Sequence, residues 1–459
     1  MSQAVAVVTS ILLARFYTPR EFGEFAVLLA VSMIAATAAT LRLEMAVPLA
    51  RDDQEADAVA SAAVASVIMV SVAATVAVAV YALLLSTGVG LAVWLAPVAT
   101  AVTGAASVGR MVQSRRDRFT VVARSTVSSS LVQGAGQVAG GLAGWGALGL
   151  AGGYLAGRLW SAMLLLDRVP RGGWQAWWAT ARRWRSFSLL STVPAVLNTA
   201  SVAAVAPIVA ACYGVAVSGL FAFAARILTL PTALVGQAVS AVLYPKLAQL
   251  DRDGGDLRTA VERVSAGLVM LAVPCFGLVA VAGPELFAMA FGDRWRPAGL
   301  FAAVLAPWLA ASFVSSPLST LMTVKHQLRR LLVLSGVETV LRVGGLAAGV
   351  AGGGPLVGVA SYAIVGTAIS LWYVRWSMQL AGVPLRAWLR RRGPFLVAAA
   401  LSYPVLLGAK GHVPVAVFAV GVAAVTVGLL AWAVGWLWRQ MPGRRPEAAV
   451  AGLAATVTG

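Results

Sequence analysis

The hydrophobic residues of the chain are gathered in blocks of about 20, separated by short stretches that carry charges, glycine or proline. A helix needs about 20 apolar residues to cross the hydrocarbon core of a bilayer. No block alternates apolar and polar residues, so we predict an all-α fold, a polytopic membrane bundle of about 14 transmembrane helices. The predicted spans lie near residues 2–17, 22–49, 58–85, 89–109, 119–143, 147–166, 187–212, 218–245, 263–291, 298–323, 331–351, 355–374, 394–410 and 413–438.

The composition agrees with a membrane protein. Of 459 residues, 60% are hydrophobic and 11% are charged, and the mean hydropathy is +0.85. Soluble domains carry about 25% charged residues, so an ordinary soluble protein is excluded. The two cysteines, Cys212 and Cys275, lie within apolar blocks, which indicates buried thiols and neither a disulfide framework nor a metal site.

The distribution of lysine and arginine explains the net charge of +18. With the N-terminus in the cytoplasm, 25 of the 35 basic residues fall in cytoplasmic connections or the C-terminal tail, and four fall outside. This asymmetry predicts a multi-pass protein of the bacterial cytoplasmic membrane with both termini in the cytoplasm. The basic residues are expected to face anionic membrane lipids, and no nucleic-acid partner is expected.

The longest cytoplasmic connection, residues 167–187, divides the chain. Trp174, Trp177 and Trp178 follow a helical spacing there and are flanked by arginines. This pattern predicts a linker helix that lies in the headgroup layer, with tryptophan toward the bilayer and arginine toward phosphate. The resulting domains are an N-terminal lobe over 1–166, the linker over 167–187, a C-terminal lobe over 188–380, and two extra spans with a tail over 381–459.

A faint repeat connects the two lobes. Three residues at the junction of the first two spans of each lobe recur at a constant offset of 196 positions: Tyr17, Gly23 and Phe25 match Tyr213, Gly219 and Phe221. Three matches alone leave chance coincidence open. A true repeat of six spans would give two lobes of equal orientation, with the cargo between them.

Six arginines fall inside predicted spans, where each costs about 2.5–3.5 kcal/mol at a helix centre. Arg15 and Arg124 lie near span ends, where their side chains can extend to the headgroups. Arg158 and Arg226 lie about 16 and about 12 Å deep, and neither has an acid on its own helix. Each therefore faces a water-filled cavity or an acid of a neighbouring helix, and the sequence leaves both readings open.

The remaining two arginines lie close to acids. Glu338 and Arg342 are spaced i, i+4, which predicts a local ion pair. Arg42 and Glu44 are spaced i, i+2, so on one helix they should point to different faces and not neutralise each other. Glu44 and Glu338 are also the candidates to carry a coupling proton, and coupling to a proton or sodium gradient stays open. No cofactor or metal is expected.

The surplus of arginine over acid in the membrane interior predicts an anionic passenger. Arginine suits phosphate because its planar guanidinium donates two hydrogen bonds and stays charged. We expect Arg158 and Arg226 to bind the passenger's phosphates, with Arg42 and Arg124 at the cytoplasmic mouth and Arg342 as a further substrate-binding candidate. No nucleophile–base pattern or nucleotide-phosphate loop occurs, so no enzyme activity is expected.

Several stretches of both lobes resemble a known family. They are residues 12–19 with 22–25, 41–49 with 52–56, positions Phe221, Arg226, Pro231 and Tyr244-Pro245 of the eighth span, and 291–295, 305–308 and 315–319. They are similar to bacterial polysaccharide-biosynthesis flippases (Wzx-like) of the multidrug/oligosaccharidyl-lipid/polysaccharide exporter (MOP) superfamily. Arg15, Arg42 and Arg226 fall on the matched stretches, whereas Arg124, Arg158 and Arg342 do not.

The resemblance implies a flippase that moves undecaprenyl-pyrophosphate-linked oligosaccharide to the outer leaflet by alternating access. Such proteins serve the assembly of capsule, O-antigen of lipopolysaccharide, or exopolysaccharide, beside a polysaccharide polymerase and chain-length proteins.

Three alternatives remain. A cation-coupled multidrug exporter of the same superfamily should carry more acids than bases at mid-membrane. A membrane-embedded polysaccharide polymerase should carry a large outer loop, and a non-transporting scaffold would not need interior arginines.

Overall fold

In the computed structural model of the chain, residues 2–85, 91–166, 174–325, 327–409, 412 and 415–440 are described. The first six predicted spans and the linker contain seven helices: α1 Ser2–Phe16, α2 Pro19–Ala39, α3 Asp53–Leu85, α4 Leu91–Arg115, α5 Phe119–Leu142, α6 Ala147–Leu165 and α7 Trp174–Arg183. The start of the linker, 167–173, and the predicted tail from 441 onward lie outside the described residues.

The rest of the chain is also helical: α8 Arg185–Ala203, α9 Val205–Tyr213, α10 Val215–Arg252, α11 Leu257–Phe291, α12 Arg296–Leu318, α13 Thr320–Val324, α14 Leu328–Gly352, α15 Pro355–Leu380, α16 Leu385–Ala409 and α17 Val415–Gln440. Among the described residues, each predicted span lies largely within helix, which confirms the all-α fold class. Among the described residues, nine helices are long and apolar enough to cross a membrane by length and composition alone. The count of about 14 stays a prediction.

The second predicted span, 22–49, is not one helix. It starts as expected, because Thr18 and Glu21 form a reciprocal capping box and Pro19 occupies the first turn. The α-helix then ends at Ala39, since Leu41 and Arg42 take left-handed backbone angles with φ of 49° and 55°. Two 3₁₀ turns, Leu43–Met45 and Val47–Leu49, follow.

By their internal contacts, the residues form two compact units. Unit 1 comprises Met1–Leu230, Phe287–Phe301 and Leu332–Tyr362, and unit 2 comprises Pro231–Leu286, Ala302–Leu331 and Ala363–Gly459. Parts of the predicted C-terminal lobe therefore belong to the same unit as the N-terminal lobe. The lobe boundaries drawn from the sequence stay a prediction.

Two helix pairs within unit 1 pack through glycine in the same way. Gly140 of α5 lies against Gly149 of α6, and Gly349 of α14 lies against Gly358 of α15. Each residue of the second pair follows its counterpart by 209 positions. Glycine allows backbones to approach this closely, because a side chain at the crossing would overlap the facing helix.

The tyrosines of the faint repeat reach these same two crossings. The Tyr17 hydroxyl lies against Gly149 and donates a hydrogen bond to the Gln137 carbonyl at 2.6 Å. The Tyr213 hydroxyl lies against Gly358 and donates to the Gly353 carbonyl at 3.4 Å. The similarity between the two halves thus extends from three letters to the contacts that those residues make.

The predicted linker helix is present as α7, but its tryptophan side does not point only toward a bilayer. Trp177 is buried and donates from its indole nitrogen to the Ala62 carbonyl of α3 at 3.0 Å. Arg183 pairs with Glu55 at 3.1 Å, whereas Trp178 is exposed. The expectation that tryptophans face lipid and arginines face phosphate is therefore wrong for Trp177 and Arg183, which dock on the protein.

Candidate anion-binding site

Helices α4 and α6 lie side by side and run in the same direction through unit 1. The Thr103 and Tyr154 hydroxyls are 3.1 Å apart, and the Gln113 side-chain amide donates to the Leu165 carbonyl at 3.0 Å. Glycine at position 109 lets α4 lie directly against Leu165. These contacts fix the register of the two helices, so residues on their facing sides meet at equal depth.

This register brings Arg158 of α6 near Arg110 of α4. Arg110 is exposed and Arg158 is half-buried, and their positive charges are near enough to act on each other. At about 1.5 Å per residue, Arg158 lies about 10 Å and Arg110 about 8 Å from the C-terminal ends of their helices. Two positive charges therefore lie near each other, one half-buried on α6 and one exposed near the end of α4.

No acid of the described residues forms an ion pair with Arg158 or Arg110. Arg158 is half-buried, and its guanidinium carbon lies 5.1 Å from the centre of the Tyr154 ring. Its Nε is buried and has no hydrogen-bond partner among the described residues. A bound anion would supply both the missing acceptor and the missing negative charge.

From the sequence Arg110 is expected to serve membrane topology, and nothing there predicts that its charge lies near that of Arg158. Arg110 lies near a helix end and beside a basic connection, so nothing in its local sequence distinguishes it from an orienting charge. The missing information was the register of α4 against α6. The glycine at 109 was the one available signal, because it permits close packing at that point.

The expectation that Arg42 and Glu44 point to different faces is wrong. Their side chains form an ion pair at 3.6 Å, with Glu44 buried. The i, i+2 argument assumed one continuous helix, whereas the left-handed angles of Leu41 and Arg42 turn the two side chains to the same side. Arg42 is therefore partly neutralised.

Arg342 has a local partner, as its spacing predicted. It pairs with Glu338 at 2.6 Å and lies over the Tyr362 ring at 5.6 Å. Glu44 and Glu338 are thus both bound to arginine. Because its charge is balanced, Arg342 is a weaker candidate for substrate binding than Arg158.

The remaining interior arginines, Arg226, Arg15 and Arg124, have no recorded contact with Arg158. Arg226 of α10 is half-buried, and no carboxylate of the described residues pairs with it. Arg15 and Arg124 are exposed, which agrees with their position near span ends.

Unit 2 contains an apolar groove of about 550 Å³ between α11, α12, α15 and α16. Its walls include Val273, Ala311, Leu371 and Leu396, and Arg375 and Trp388 also line it. The Trp388 indole nitrogen is buried without a hydrogen-bond partner among the described residues. A groove of this kind is suited to a hydrocarbon chain next to a polar headgroup.

A family model described as polysaccharide biosynthesis protein matches residues 12–299, more than half of the chain. No curated protein matches the sequence significantly.

Solved transporters share the fold. The lipid II flippase MurJ in an inward closed conformation matches with a TM-score of 0.70 at 11% identity, covering 95% of this chain and 97% of that chain. An inward-facing multidrug resistance transporter of the MATE family of the MOP superfamily matches with a TM-score of 0.55 at 16% identity, covering 83% and 95%. A MOP superfamily transporter from Pyrococcus furiosus gives 0.52 at 16% identity, covering 83% and 92%.

Proposed function

Since the chain belongs to the polysaccharide biosynthesis protein family, we propose that it flips undecaprenyl-pyrophosphate-linked oligosaccharide across the bacterial cytoplasmic membrane by alternating access. Its fold is that of the MOP superfamily transporters and flippases, which are not enzymes. The product would serve capsule, O-antigen or exopolysaccharide assembly, with a polymerase and chain-length proteins as partners. Both termini would lie in the cytoplasm.

The observation that carries this proposal is the uncompensated pair Arg110 and Arg158. A pyrophosphate brings at least two negative charges and several acceptor oxygens, which matches two guanidinium groups that no acid of the described residues neutralises. Arg226 would bind the cargo from α10, and Arg42 and Arg124 would serve the cytoplasmic mouth. A cationic drug would be repelled by the same charges.

The apolar groove supports the lipid part of the proposal. A polyprenyl chain needs an apolar surface while its headgroup crosses, and the groove offers one within unit 2. The aromatic side chain of Trp388 and the guanidinium of Arg375 suit the boundary between hydrocarbon and headgroup.

The test compares Arg158→Ala and Arg110→Ala with wild type in a deletion strain, using mass spectrometry of lipid-linked oligosaccharide and an assay of surface polymer. Each lost charged hydrogen bond is worth about 1.5–3 kcal/mol, so export should fall by about tenfold to a hundredfold. Arg158→Lys should lie between, since lysine keeps the charge and loses the planar fork.

Arg20→Ala is the matched control, because Arg20 is exposed and pairs only with exposed Glu24. In the Arg158→Ala and Arg110→Ala strains, complete oligosaccharide units should accumulate on the cytoplasmic leaflet while the variant protein is present at normal level. Full export by well-expressed Arg158→Ala and Arg110→Ala would remove the pair from the mechanism. Normal lipid-linked pools with altered drug tolerance would indicate a multidrug exporter, and unpolymerised units on the outer leaflet would indicate a polymerase.

A further inference from the structure

Helix α5 carries a polar face although it coincides with a predicted membrane span. It has 24 residues, yet it is not among the nine helices that are apolar enough to cross a membrane by composition. Its polar residues Thr126, Ser130, Gln133 and Gln137 follow one another at i, i+4, i+7 and i+11. This spacing places them on one side of the helix, which we name the polar face of α5.

The exposed apolar residues of α5 lie on a different side. Leu131, Ala135 and Leu142 are exposed and follow one another at i, i+4 and i+11. The helix therefore presents two surfaces of different character. Only the apolar one matches the hydrocarbon of a bilayer, because a polar side chain in the membrane interior has to meet protein or water.

The polar face is turned toward the interior of unit 1. At one end Gln137 is fully buried, where its side-chain amide donates to a backbone carbonyl of α6 at 3.0 Å and its own carbonyl accepts from the Tyr17 hydroxyl at 2.6 Å. Exposure then rises along the face, since Gln133 and Ser130 are half-buried and Thr126 is exposed. The polar face is thus packed shut at Gln137 and accessible toward Thr126.

The accessible side chains are suited to hydrogen bonds with hydroxyl groups. The hydroxyls of Thr126 and Ser130 each donate to the backbone carbonyl one turn earlier at 2.8 Å, so their oxygens stay available as acceptors. The Gln133 side chain has no hydrogen-bond partner among the described residues and offers both donors and an acceptor. An amide in that position needs water or a polar ligand, because an unpaired polar group is costly in an apolar environment.

The polar face adjoins the helix that carries Arg158. A methyl group on Gly157 of α6 would meet the Cβ atom of Gln133 at 2.7 Å, and the hydroxyls of Ser125 and Ser161 are 2.9 Å apart. Arg158 directly follows Gly157 in the chain, so it lies at nearly the same depth in unit 1 as Gln133. A phosphate at Arg158 would bring the group attached to it to the level of the polar face.

We infer that the polar face of α5 binds the sugar nearest to the pyrophosphate of the lipid-linked oligosaccharide, through Gln133 and Ser130. The inference rests on the proposed function, which supplies the position of the pyrophosphate at Arg158. Sugar hydroxyls donate to oxygen acceptors and accept from amide donors, and the polar face offers both kinds of group. The pyrophosphate and the first sugar are therefore read by two adjacent helices, α6 and α5.

Two lipid probes separate contacts with the sugar from contacts with the phosphates. One is undecaprenyl pyrophosphate without sugar, and the other is the lipid-linked oligosaccharide extracted from the deletion strain. Microscale thermophoresis measures the affinity of the purified protein for each probe in detergent. Gln133→Leu and Ser130→Ala should each weaken binding of the oligosaccharide probe by about threefold to tenfold, because hydrogen bonds to the sugar are lost. Their affinity for undecaprenyl pyrophosphate should not change.

Ser128→Ala is the matched control, because it is the same substitution as Ser130→Ala on the same helix. Ser128 lies off the polar face and accepts a hydrogen bond from the Trp160 indole nitrogen at 3.0 Å. Both affinities of this variant should equal those of the wild type. Arg158→Ala should weaken binding of both probes, since they share the pyrophosphate.

Wild-type affinity of the folded Gln133→Leu and Ser130→Ala proteins for the oligosaccharide probe would overturn the sugar site. An equal loss for the two probes would overturn it as well, because a sugar contact cannot affect a probe that has no sugar. Ser130→Ala removes a single oxygen atom and keeps the test valid if Gln133→Leu does not fold. A wild-type protein that binds neither probe would contradict the proposed function itself, and the sugar site with it.

Discussion

At the scale of single residues, the interior arginines separate by what balances their charge. Arg42 and Arg342 are bound to Glu44 and Glu338, whereas Arg158 has no acidic partner among the described residues. A buried charge that lacks a partner destabilises the protein unless a ligand supplies one. In the proposed function, the unbalanced arginines are the ones that an anionic cargo would contact.

The balanced pair should behave as a structural element. Glu338→Gln leaves Arg342 buried without its counter-charge, and breaking such a pair costs about 3–5 kcal/mol. We expect a clear fall in the thermal unfolding temperature of the purified protein. Glu338→Leu combined with Arg342→Leu should recover most of it, because no charge is then left alone.

Glu24→Gln is the corresponding control, since its pair with Arg20 is exposed and such pairs contribute about 0–1 kcal/mol. A Glu338→Gln protein as stable as the double leucine variant would mean that Arg342 is satisfied without Glu338.

Residue spacing predicted only the pair that lies within one regular helix. Glu338 and Arg342 obey the i, i+4 rule because α14 is continuous there. Arg42 and Glu44 form an ion pair although residues spaced i, i+2 on a helix point to different faces, because two left-handed residues follow the end of α2. Arg110 was missed because its proximity to Arg158 depends on the register between two helices, which the local sequence does not contain.

At the scale of elements, α7 is a docked helix. Trp177 fills a site on α3 together with Val59 and Ala63, and its indole nitrogen is satisfied by the Ala62 carbonyl. The sequence predicted the helix from its tryptophan and arginine spacing. It could not predict which tryptophan faces protein, because a buried protein surface and a lipid surface are both apolar to a tryptophan.

Truncating Trp177 should release α7 from α3. Removing a buried tryptophan side chain costs about 3–5 kcal/mol, so Trp177→Ala should lower the unfolding temperature and make residues 174–183 susceptible to limited proteolysis. Trp178→Ala is the neighbouring control, and it should change little because Trp178 is exposed. Equal protease sensitivity of the two variants would show that the Trp177 contact does not hold α7.

At the scale of the whole molecule, helix positions follow closely from the sequence, and packing does not. Apolar blocks predicted where helices lie, since any bilayer demands continuous apolar stretches. The 196-residue repeat was barely visible in the letters. It became evident in the structure at Gly23 and Gly219, which make equivalent contacts with the backbone of the facing helix. Such a contact requires only one small residue per helix, so the identities of the neighbouring residues are free to differ.

The apolar groove gives the prediction at this scale. Ala310→Phe should narrow it and remove about 60 Å² of apolar contact from a lipid chain, which at about 25 cal/mol per Å² weakens binding about tenfold. Native mass spectrometry should then find less polyprenyl lipid on the purified protein. Ala400→Phe, exposed and outside the groove, should retain wild-type lipid, and equal retention by both variants would argue against the groove as a lipid site.

The docking of α7 has a consequence for how the protein can be assembled from parts. Ser188 of α8 donates to the Leu41 carbonyl at 2.7 Å, and Arg183 and Trp177 of α7 hold Glu55 and Ala62. These bonds connect α7 and α8 to the residues that precede them in the chain, in addition to the peptide link between α6 and α7. Two separately translated polypeptides, divided before α7, would still carry the complementary surfaces: α7 and α8 on one, and α3 with Leu41 on the other. We expect two such polypeptides, when co-expressed, to associate through these contacts, and their co-purification would show it.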